Sequence, residues 1–169
     1  MRLRCKNCVT WQSIWFEGEL VVAQARKRRS WNFGDRTLSG VTGITGVGET
    51  CSDPGVDRVA LDAIRSIDPR PHGIFSVDMT YDHGGVPNPT EINIGRFFTT
   101  HYFFTKAGLN FPEIYCNIAL ESRFPVLERN INPLADGLVW IRGMDVCPVL
   151  TTAAELEHME RSAEWPEHG

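Results

Sequence analysis

The stretch FSVDMTYDHGGVPNPTEINIGR, residues 75–96, predicts two β-strands joined by a short loop. Its first half alternates apolar and polar side chains, which is typical of a strand with one buried face and places Asp78 on the polar face. The loop that follows, residues 82–85, contains two glycines, and the chain then returns as a second extended segment. We therefore predict a β-hairpin that pairs residues 74–81 with residues 86–94.

Three oxygen-bearing side chains should meet on the polar face of this hairpin. Glu91 and Asn93 are two residues apart, so their side chains share a face of the strand and lie about 6.7 Å apart along it. Asp78 occupies the polar face of the partner strand. Magnesium prefers oxygen ligands of this kind, with few from the protein and the rest from phosphate and water. Half-exposed strands usually alternate in the same way, so an ordinary solvent-facing surface fits these residues equally well.

Arg96 follows the hairpin directly. The aromatic-rich segment 96–106 predicts a helix packed against the sheet, which Gly108 would end. Arg96 would then stand at the beginning of that helix, where its guanidinium and the free backbone N–H groups both favour phosphate.

The N-terminal third predicts a second hairpin followed by a glycine-rich loop. Residues 11–16 and 19–25 are strand-like, and Glu17-Gly18 forms the turn between them. The basic cluster 26–29 has the pattern of a solvent-exposed strand end. The loop 39–50 resembles a phosphate-binding P-loop only superficially, because Glu49 stands where that motif needs lysine.

Several helices complete the predicted fold. Asp53 and Pro54 form an N-cap and a first helical position, and the helix should end before Pro69. We predict further helices over 114–122 and from Thr152 to about residue 164, and a strand over 138–144. Two hairpins with several helices indicate an α+β fold, an antiparallel sheet of hairpins with packed helices. We divide the chain into a main domain, residues 1–150, and a terminal helix and tail, residues 151–169.

Composition excludes several classes of protein. The 169 residues are 42% apolar and 22% charged, with a net charge of −4, which argues against disorder and against a general nucleic-acid binder. Neither a membrane span nor a secretory signal is present, so we expect a cytoplasmic protein. Among five cysteines, the pair Cys5 and Cys8 lacks the second ligand pair of a zinc site, and we expect reduced thiols.

Taken together, these motifs resemble a known family. The order strand with Asp78, glycine-bearing loop, then Glu91-x-Asn93 resembles the metal-binding hairpin of ATP-grasp enzymes. The run WQSIWFEGELV is similar to the first hairpin of the B subdomain in relatives of the carbamoyl-phosphate synthase large chain, as are SGVTG, EINIGRF and AGLNFP further along. The resemblance covers about residues 9–150 and implies the C-terminal part of an ATP-grasp domain.

The resemblance implies a metal site. Asp78, Glu91 and Asn93 would hold one or two Mg²⁺ (or Mn²⁺) ions, with Glu91 bridging them. The metals would in turn hold the β- and γ-phosphates of ATP, so that charge neutralisation and positioning supply the catalysis.

The resemblance also implies the remaining site residues and the reaction. Arg96 would contact the transferred phosphoryl group, and the loop with Thr42 and Gly43 would border the substrate. Arg26, or a neighbour in the basic cluster, is a candidate contact to phosphate. In this family a small carboxylate attacks the γ-phosphate of ATP, and an amine or ammonia then displaces phosphate from the acyl phosphate.

The same resemblance leaves two functions open. ATP-grasp enzymes clamp the nucleotide between two subdomains, and the sequence offers neither an adenine-binding segment nor the phosphate-binding lysine of the first subdomain. One function is therefore half of a ligase, completed by an upstream chain or by the rest of a longer chain. The alternative is a non-catalytic remnant or binding module with residual metal or nucleotide binding.

Overall fold

Seven strands form one antiparallel sheet in the computed structural model, which describes residues 8–32, 44–143 and 147–162. The elements in chain order are β1 (Cys8–Phe16), β2 (Glu19–Asn32), β3 (Ile44–Cys51), α1 (Pro54–Ile67), β4 (Gly73–Tyr81), β5 (Pro87–Ile94), α2 (His101–Lys106), α3 (Phe111–Glu121), β6 (Leu138–Ile141), β7 (Val149–Thr152) and α4 (Ala153–Ser162). The strand order is β5-β4-β1-β2-β3-β6-β7, which confirms the predicted α+β class with an antiparallel sheet.

The predicted hairpins are both present. Glu17 and Gly18 adopt φ of 54° and 93°, the left-handed pair that a tight two-residue turn requires. β2 is longer than predicted and continues to Asn32, so the basic cluster lies inside the strand. β4 and β5 pair as expected, with Asp78 opposite Glu91.

One face of the sheet packs against α1. Asp53 caps this helix, because its Oδ1 accepts hydrogen bonds from the backbone N–H of Gly55 (2.9 Å) and Val56 (3.4 Å), as predicted. The stripe on α1 that faces the sheet is fully buried: Val56, Ala60 and Ile64. It packs on apolar side chains of β1, β2 and β4, namely Val9, Trp11, Trp15, Ala23, Ala25, Phe75, Val77 and Met79.

The other face is covered by helices over only part of its length. Phe103 and Phe104 of α2 and Phe111 of α3 pack over Ile14 and Val22, near the β1–β2 turn. The opposite ends of β1, β2 and β4 carry polar side chains on this face and border an open cavity. The incomplete helical cover therefore positions the site described below.

Some predicted elements differ in the structure. The helix over 96–106 begins only at His101, so Arg96 lies in a loop rather than at a helix start. Residues 44–50 of the predicted loop 39–50 instead form strand β3 together with Cys51, because glycines there admit side chains of β2: a Cβ at Gly46 would lie 2.5 Å from Oδ1 of Asn32. Strand β7 was not predicted, and the strand over 138–144 ends at Ile141.

Two general expectations concern membranes and thiols. No helix in the described ranges is both long and apolar enough to span a bilayer. Cys51, Cys116 and Cys147 carry free thiols, whereas Cys8 is disulfide-bonded, so the expectation of reduced thiols is wrong for Cys8.

Replacing Asp53 with alanine should lower the free energy of unfolding by about 1–2 kcal/mol, because α1 loses its cap. The hydrogen bond from the Tyr81 hydroxyl (2.6 Å), together with those from the cap N–H groups, holds the pKa of Asp53 below its ordinary value. Its contribution is therefore complete above the unfolded carboxyl pKa, about 3.9, and is lost as pH falls through the lower folded pKa.

Urea unfolding at pH 7 and at pH 3 measures both effects. The variant Asp53→Asn is the control, because asparagine caps as well as aspartate but does not titrate. An Asp53→Ala protein as stable as the wild type at pH 7 would contradict the prediction.

Candidate functional site

A cavity of about 490 Å³ lies on the uncovered part of the sheet. Its walls come from β1, β2, β3, β4 and β5 and from the segment that follows β5, residues 96–99. The charged and amide side chains that line it are Arg26, Arg28, Asp78, Glu91, Asn93 and Arg96. The cavity therefore contains every predicted site residue that falls in the described ranges, whereas Thr42 and Gly43 lie outside those ranges.

Strand register brings the three predicted metal ligands together. Asp78 pairs with Glu91 and Ser76 pairs with Asn93, so all three oxygen-bearing side chains project from the same face. A register irregularity between Asp78 and Met79 follows directly. Because the site residues lie in two paired strands, their convergence follows from the backbone hydrogen-bond ladder.

One carboxylate oxygen of Asp78 accepts hydrogen bonds from protein donors, and the other is open to a ligand. Its Oδ1 accepts hydrogen bonds from the Thr10 hydroxyl and from Nη2 of Arg28, both at 2.6 Å. Within the described part of the chain, Oδ2 has no hydrogen-bond partner. The side chain is 23% exposed. Thr10 and Arg28 therefore fix the orientation of the carboxylate while Oδ2 is available to a cation.

Arg96 contacts the other two predicted ligands. Its Nε donates to Oδ1 of Asn93 at 3.0 Å, Nη2 donates to the same oxygen, and Nη2 lies 3.8 Å from Oε1 of Glu91. The side chains of Glu91 and Arg96 are 58% and 67% exposed. Arg96 is thus beside the acidic group as expected, but in a loop with no helix N-terminus to assist it.

The donor set fits a hard cation that brings its own phosphate ligands. Among residues 8–32, 44–143 and 147–162, no group of three or more His, Cys, Asp or Glu side chains could hold a metal. Two carboxylates and one amide are what remain, Asp78, Glu91 and Asn93. Mg²⁺ is commonly held by one or two carboxylates, with water and substrate phosphates completing its octahedron. The set fits that arrangement and does not fit a cation held by protein alone.

Arg26 is the largest departure from the sequence-based expectation. The basic cluster was predicted to be solvent-exposed, yet Arg26 is only 1% exposed. Its guanidinium carbon lies 4.4 Å from the ring centroid of Phe98, and Nη1 donates to the Thr45 hydroxyl at 3.2 Å. Burial, reinforced by the charge of Arg28, lowers the pKa of Arg26 to about 9.

Trp31 was not predicted as a site residue, and Arg28 was predicted only as an unnamed member of the basic cluster. Arg28 pairs with Asp78, and its guanidinium carbon lies 4.5 Å from the centroid of Trp31. The strand period contained a signal for Arg28: residues 26 and 28 share a face, whereas Lys27 and Arg29 point away and are exposed. Four consecutive basic residues, 26–29, hide that alternation in the sequence.

Gln12 positions one wall of the cavity. This fully buried side chain donates from Nε2 to the Phe75 carbonyl at 3.0 Å and accepts from the Phe98 N–H at 2.8 Å. It thereby connects β4 to the segment that places Phe98 over Arg26. A glutamine inside a strand carried no functional signal in the sequence.

Solved ATP-grasp enzymes share this fold. N5-carboxyaminoimidazole synthetase from Staphylococcus aureus aligns with a TM-score of 0.59 and 12% identity over 95% of this chain and 50% of that one. L-amino acid ligase from Bacillus licheniformis aligns with a TM-score of 0.56 and 12% identity over 80% of this chain and 34% of that one. No protein-family model and no curated protein matches the sequence.

These alignments define the class of fold. The chain spans a third to a half of the length of these two structures. It has the fold of a part of an ATP-grasp enzyme, which agrees with the resemblance found in the sequence.

Proposed function

We propose that this chain is the metal- and phosphate-binding part of an ATP-grasp ligase. Such a ligase activates a small carboxylate as an acyl phosphate, which an amine or ammonia then attacks. The observation that carries the proposal is the convergence of Asp78, Glu91, Asn93 and Arg96 on one cavity of an ATP-grasp fold. Within that class, the sequence motifs favour the relatives of carbamoyl-phosphate synthase.

The residues of β4 and β5 provide the cation site. Oδ2 of Asp78 and the exposed carboxylate of Glu91 are the anionic donors, and Asn93 adds a neutral oxygen once Arg96 leaves it. A bound Mg²⁺ would supply charge neutralisation for the β- and γ-phosphates of ATP. The orientation of Asp78 is already set by Thr10 and Arg28, so little reorganisation is needed on that side.

Arg96 is suited to the transferred phosphoryl group. It is two-thirds exposed, and its partner in the present arrangement is the amide oxygen of Asn93. A guanidinium binds a phosphoryl oxygen more strongly than it binds the oxygen of an amide, because its hydrogen bonds to an anion are charge-assisted. A phosphate bound to a cation at Glu91 and Asp78 would therefore draw Arg96 away from Asn93 and onto the phosphate oxygens.

A second candidate function is a non-catalytic module that keeps the fold. The specific observation in its favour is that Arg28 and Arg96 already neutralise the acidic group without a metal. Such a module would bind metal or nucleotide weakly and would not turn substrate over.

Removing the Glu91 carboxylate should weaken the binding of Mg–ATP at least tenfold, because Asp78 and Glu91 are the two anionic donors that the described residues bring to the cavity. Isothermal titration calorimetry of the wild type and Glu91→Ala measures this. Glu121→Ala is the matched control, since its side chain is also 58% exposed but lies on α3 beside Arg123, and it should bind as the wild type does.

Three outcomes separate the possibilities. Equal Mg–ATP affinities of the wild type and Glu91→Ala would show that Glu91 is not a ligand in the site. Absence of binding, even with the missing ATP-grasp half supplied, would overturn the proposal. Binding without phosphate release from ATP in the completed protein, in the presence of carboxylate and amine, would favour the non-catalytic module.

A further inference from the structure

Three buried N–H donors border the cavity, and none has a hydrogen-bond partner among the residues that the structure describes. They are Nε of Arg26, Nε of Arg28 and Nε1 of Trp31, and all three belong to β2. Each of them can donate and none can accept. Buried donors are normally paired in native proteins, so a group of three such donors on one wall indicates a missing acceptor.

The buried charge of Arg26 also indicates a missing anionic partner. In the described ranges, no carboxylate lies within ion-pair distance of Arg26, although the side chain is almost fully buried. Asp78 acts on Arg26 electrostatically, but its contact is with Arg28. Leaving a guanidinium buried and unpaired is costly, and an anion in the cavity would remove that penalty.

The shape of this wall favours a planar anion. Phe98 lies against the guanidinium of Arg26 and Trp31 lies against that of Arg28, at 4.4 and 4.5 Å, so each guanidinium is held by a ring. Arg28 uses Nη2 on Asp78, while its Nε is unused. Carboxylates match the planar fork of a guanidinium, and aromatic neighbours suit the organic part of such a ligand better than a fully hydrated phosphate.

We propose that Arg26, Arg28 and Trp31 form a carboxylate subsite, separate from the donors on β4 and β5, that takes a small organic carboxylate. Its identification as the subsite for the acceptor substrate rests on the proposed function; the binding of a carboxylate does not. Arg28 joins the two sites, because it contacts Asp78 on one side and offers Nε to the subsite on the other. A carboxylate bound there would lie next to the proposed phosphate position, as attack on the γ-phosphate requires.

The experiment is an NMR titration of the arginine Nε–H signals of the full chain, without metal or nucleotide. Acetate is the planar probe, inorganic phosphate the tetrahedral probe and chloride the control for ionic strength. We expect saturable shifts of the Arg26 and Arg28 signals with acetate, at least tenfold lower affinity for phosphate, and no saturation with chloride. Shifts with phosphate but not with acetate, or with neither, would overturn the proposal.

Variants keep the test independent of folding. Arg26→Met replaces a buried charge with an apolar side chain, so it should retain the wild-type Tm without acetate and lose the rise in Tm that acetate produces. Arg29→Met, on the opposite face of the same strand, should keep that rise. If Arg26→Met fails to fold, Arg26→Lys serves instead, and an unchanged acetate affinity in either variant would overturn the proposal.

The two proposals can fail separately. Glu91→Ala should weaken Mg–ATP binding at least tenfold and keep the acetate response, because Glu91 lies on β5 whereas the subsite residues lie on β2. Loss of the acetate response alone would overturn the carboxylate subsite and leave the proposed function intact.

Discussion

Replacing Asp78 with alanine should abolish divalent-cation binding and also lower the free energy of unfolding by about 1–3 kcal/mol. The loss of stability is expected because Oδ1 accepts hydrogen bonds from Thr10 and Arg28, and both donors would lose their partner. Arg26 and Arg28 would then lie on one wall without the negative charge of Asp78, which offsets the repulsion between the two guanidinium groups. Partial exposure of the pair, 15% for Arg28 and 23% for Asp78, keeps the cost below that of a fully buried ion pair.

Two measurements separate the structural role of Asp78 from its proposed metal role. Urea unfolding gives the stability, and electron paramagnetic resonance of Mn²⁺ gives the cation affinity. Asp78→Asn is the control, because an amide oxygen still accepts from Thr10 and Arg28 but carries no charge. It should recover part of the stability without the cation binding. Wild-type affinity for Mn²⁺ in Asp78→Ala would exclude Asp78 as a ligand.

Replacing Trp11 with alanine should lower the free energy of unfolding by about 3–5 kcal/mol, the largest effect expected for a single side chain here. Trp11 is fully buried between the sheet and α1, where truncation leaves a large cavity. Its indole Nε1 also donates to Oδ1 of Asp57 at 2.9 Å. Burial raises the pKa of Asp57 and this hydrogen bond opposes the rise, so the variant also leaves a partly buried carboxylate less well solvated.

Urea unfolding measures this loss of stability as well. The variant Trp11→Phe separates the contribution of the hydrogen bond from that of the buried volume. Phenylalanine fills most of the space and removes the hydrogen bond, so its cost should be about 1–2 kcal/mol. A domain of this size is stable by about 5–15 kcal/mol, so the expected loss is a large fraction of the total free energy of unfolding. A change below 1 kcal/mol would contradict the central place of Trp11 in the core.

Local sequence patterns predicted the parts of the fold that local forces determine. The Glu17-Gly18 turn, the Asp53 cap and the alternation around Asp78 each depend on neighbours within a few residues. Because a strand period of two fixes which side chains share a face, the meeting of Asp78 with Glu91 followed once the hairpin was recognised.

The errors in prediction occur where distant contacts decide the structure. The helix expected from residue 96 is absent over its first turn, since Gly95 N–H binds the Ile74 carbonyl and Phe98 N–H binds Gln12. Those bonds join segments more than 20 residues apart, and they hold residues 95–98 against the sheet in a non-helical conformation. Similarly, Arg26 is buried because Phe98 and Thr45 cover it, and neither is its neighbour in sequence.

The strand that carries Glu91 and Asn93 is β5, one of the two edge strands of the sheet that the described residues form. Asp82 N–H donates to the Val86 carbonyl at 3.0 Å, so the alternation of the ladder directs the backbone nitrogens of residues 87 and 89 away from β4. Both positions are proline, which has no N–H to offer to another strand. The exposed border of the carboxylate-bearing hairpin is therefore a poor template for intermolecular strand pairing, and this protects the chain against edge-to-edge aggregation at the place where its polar face must stay open.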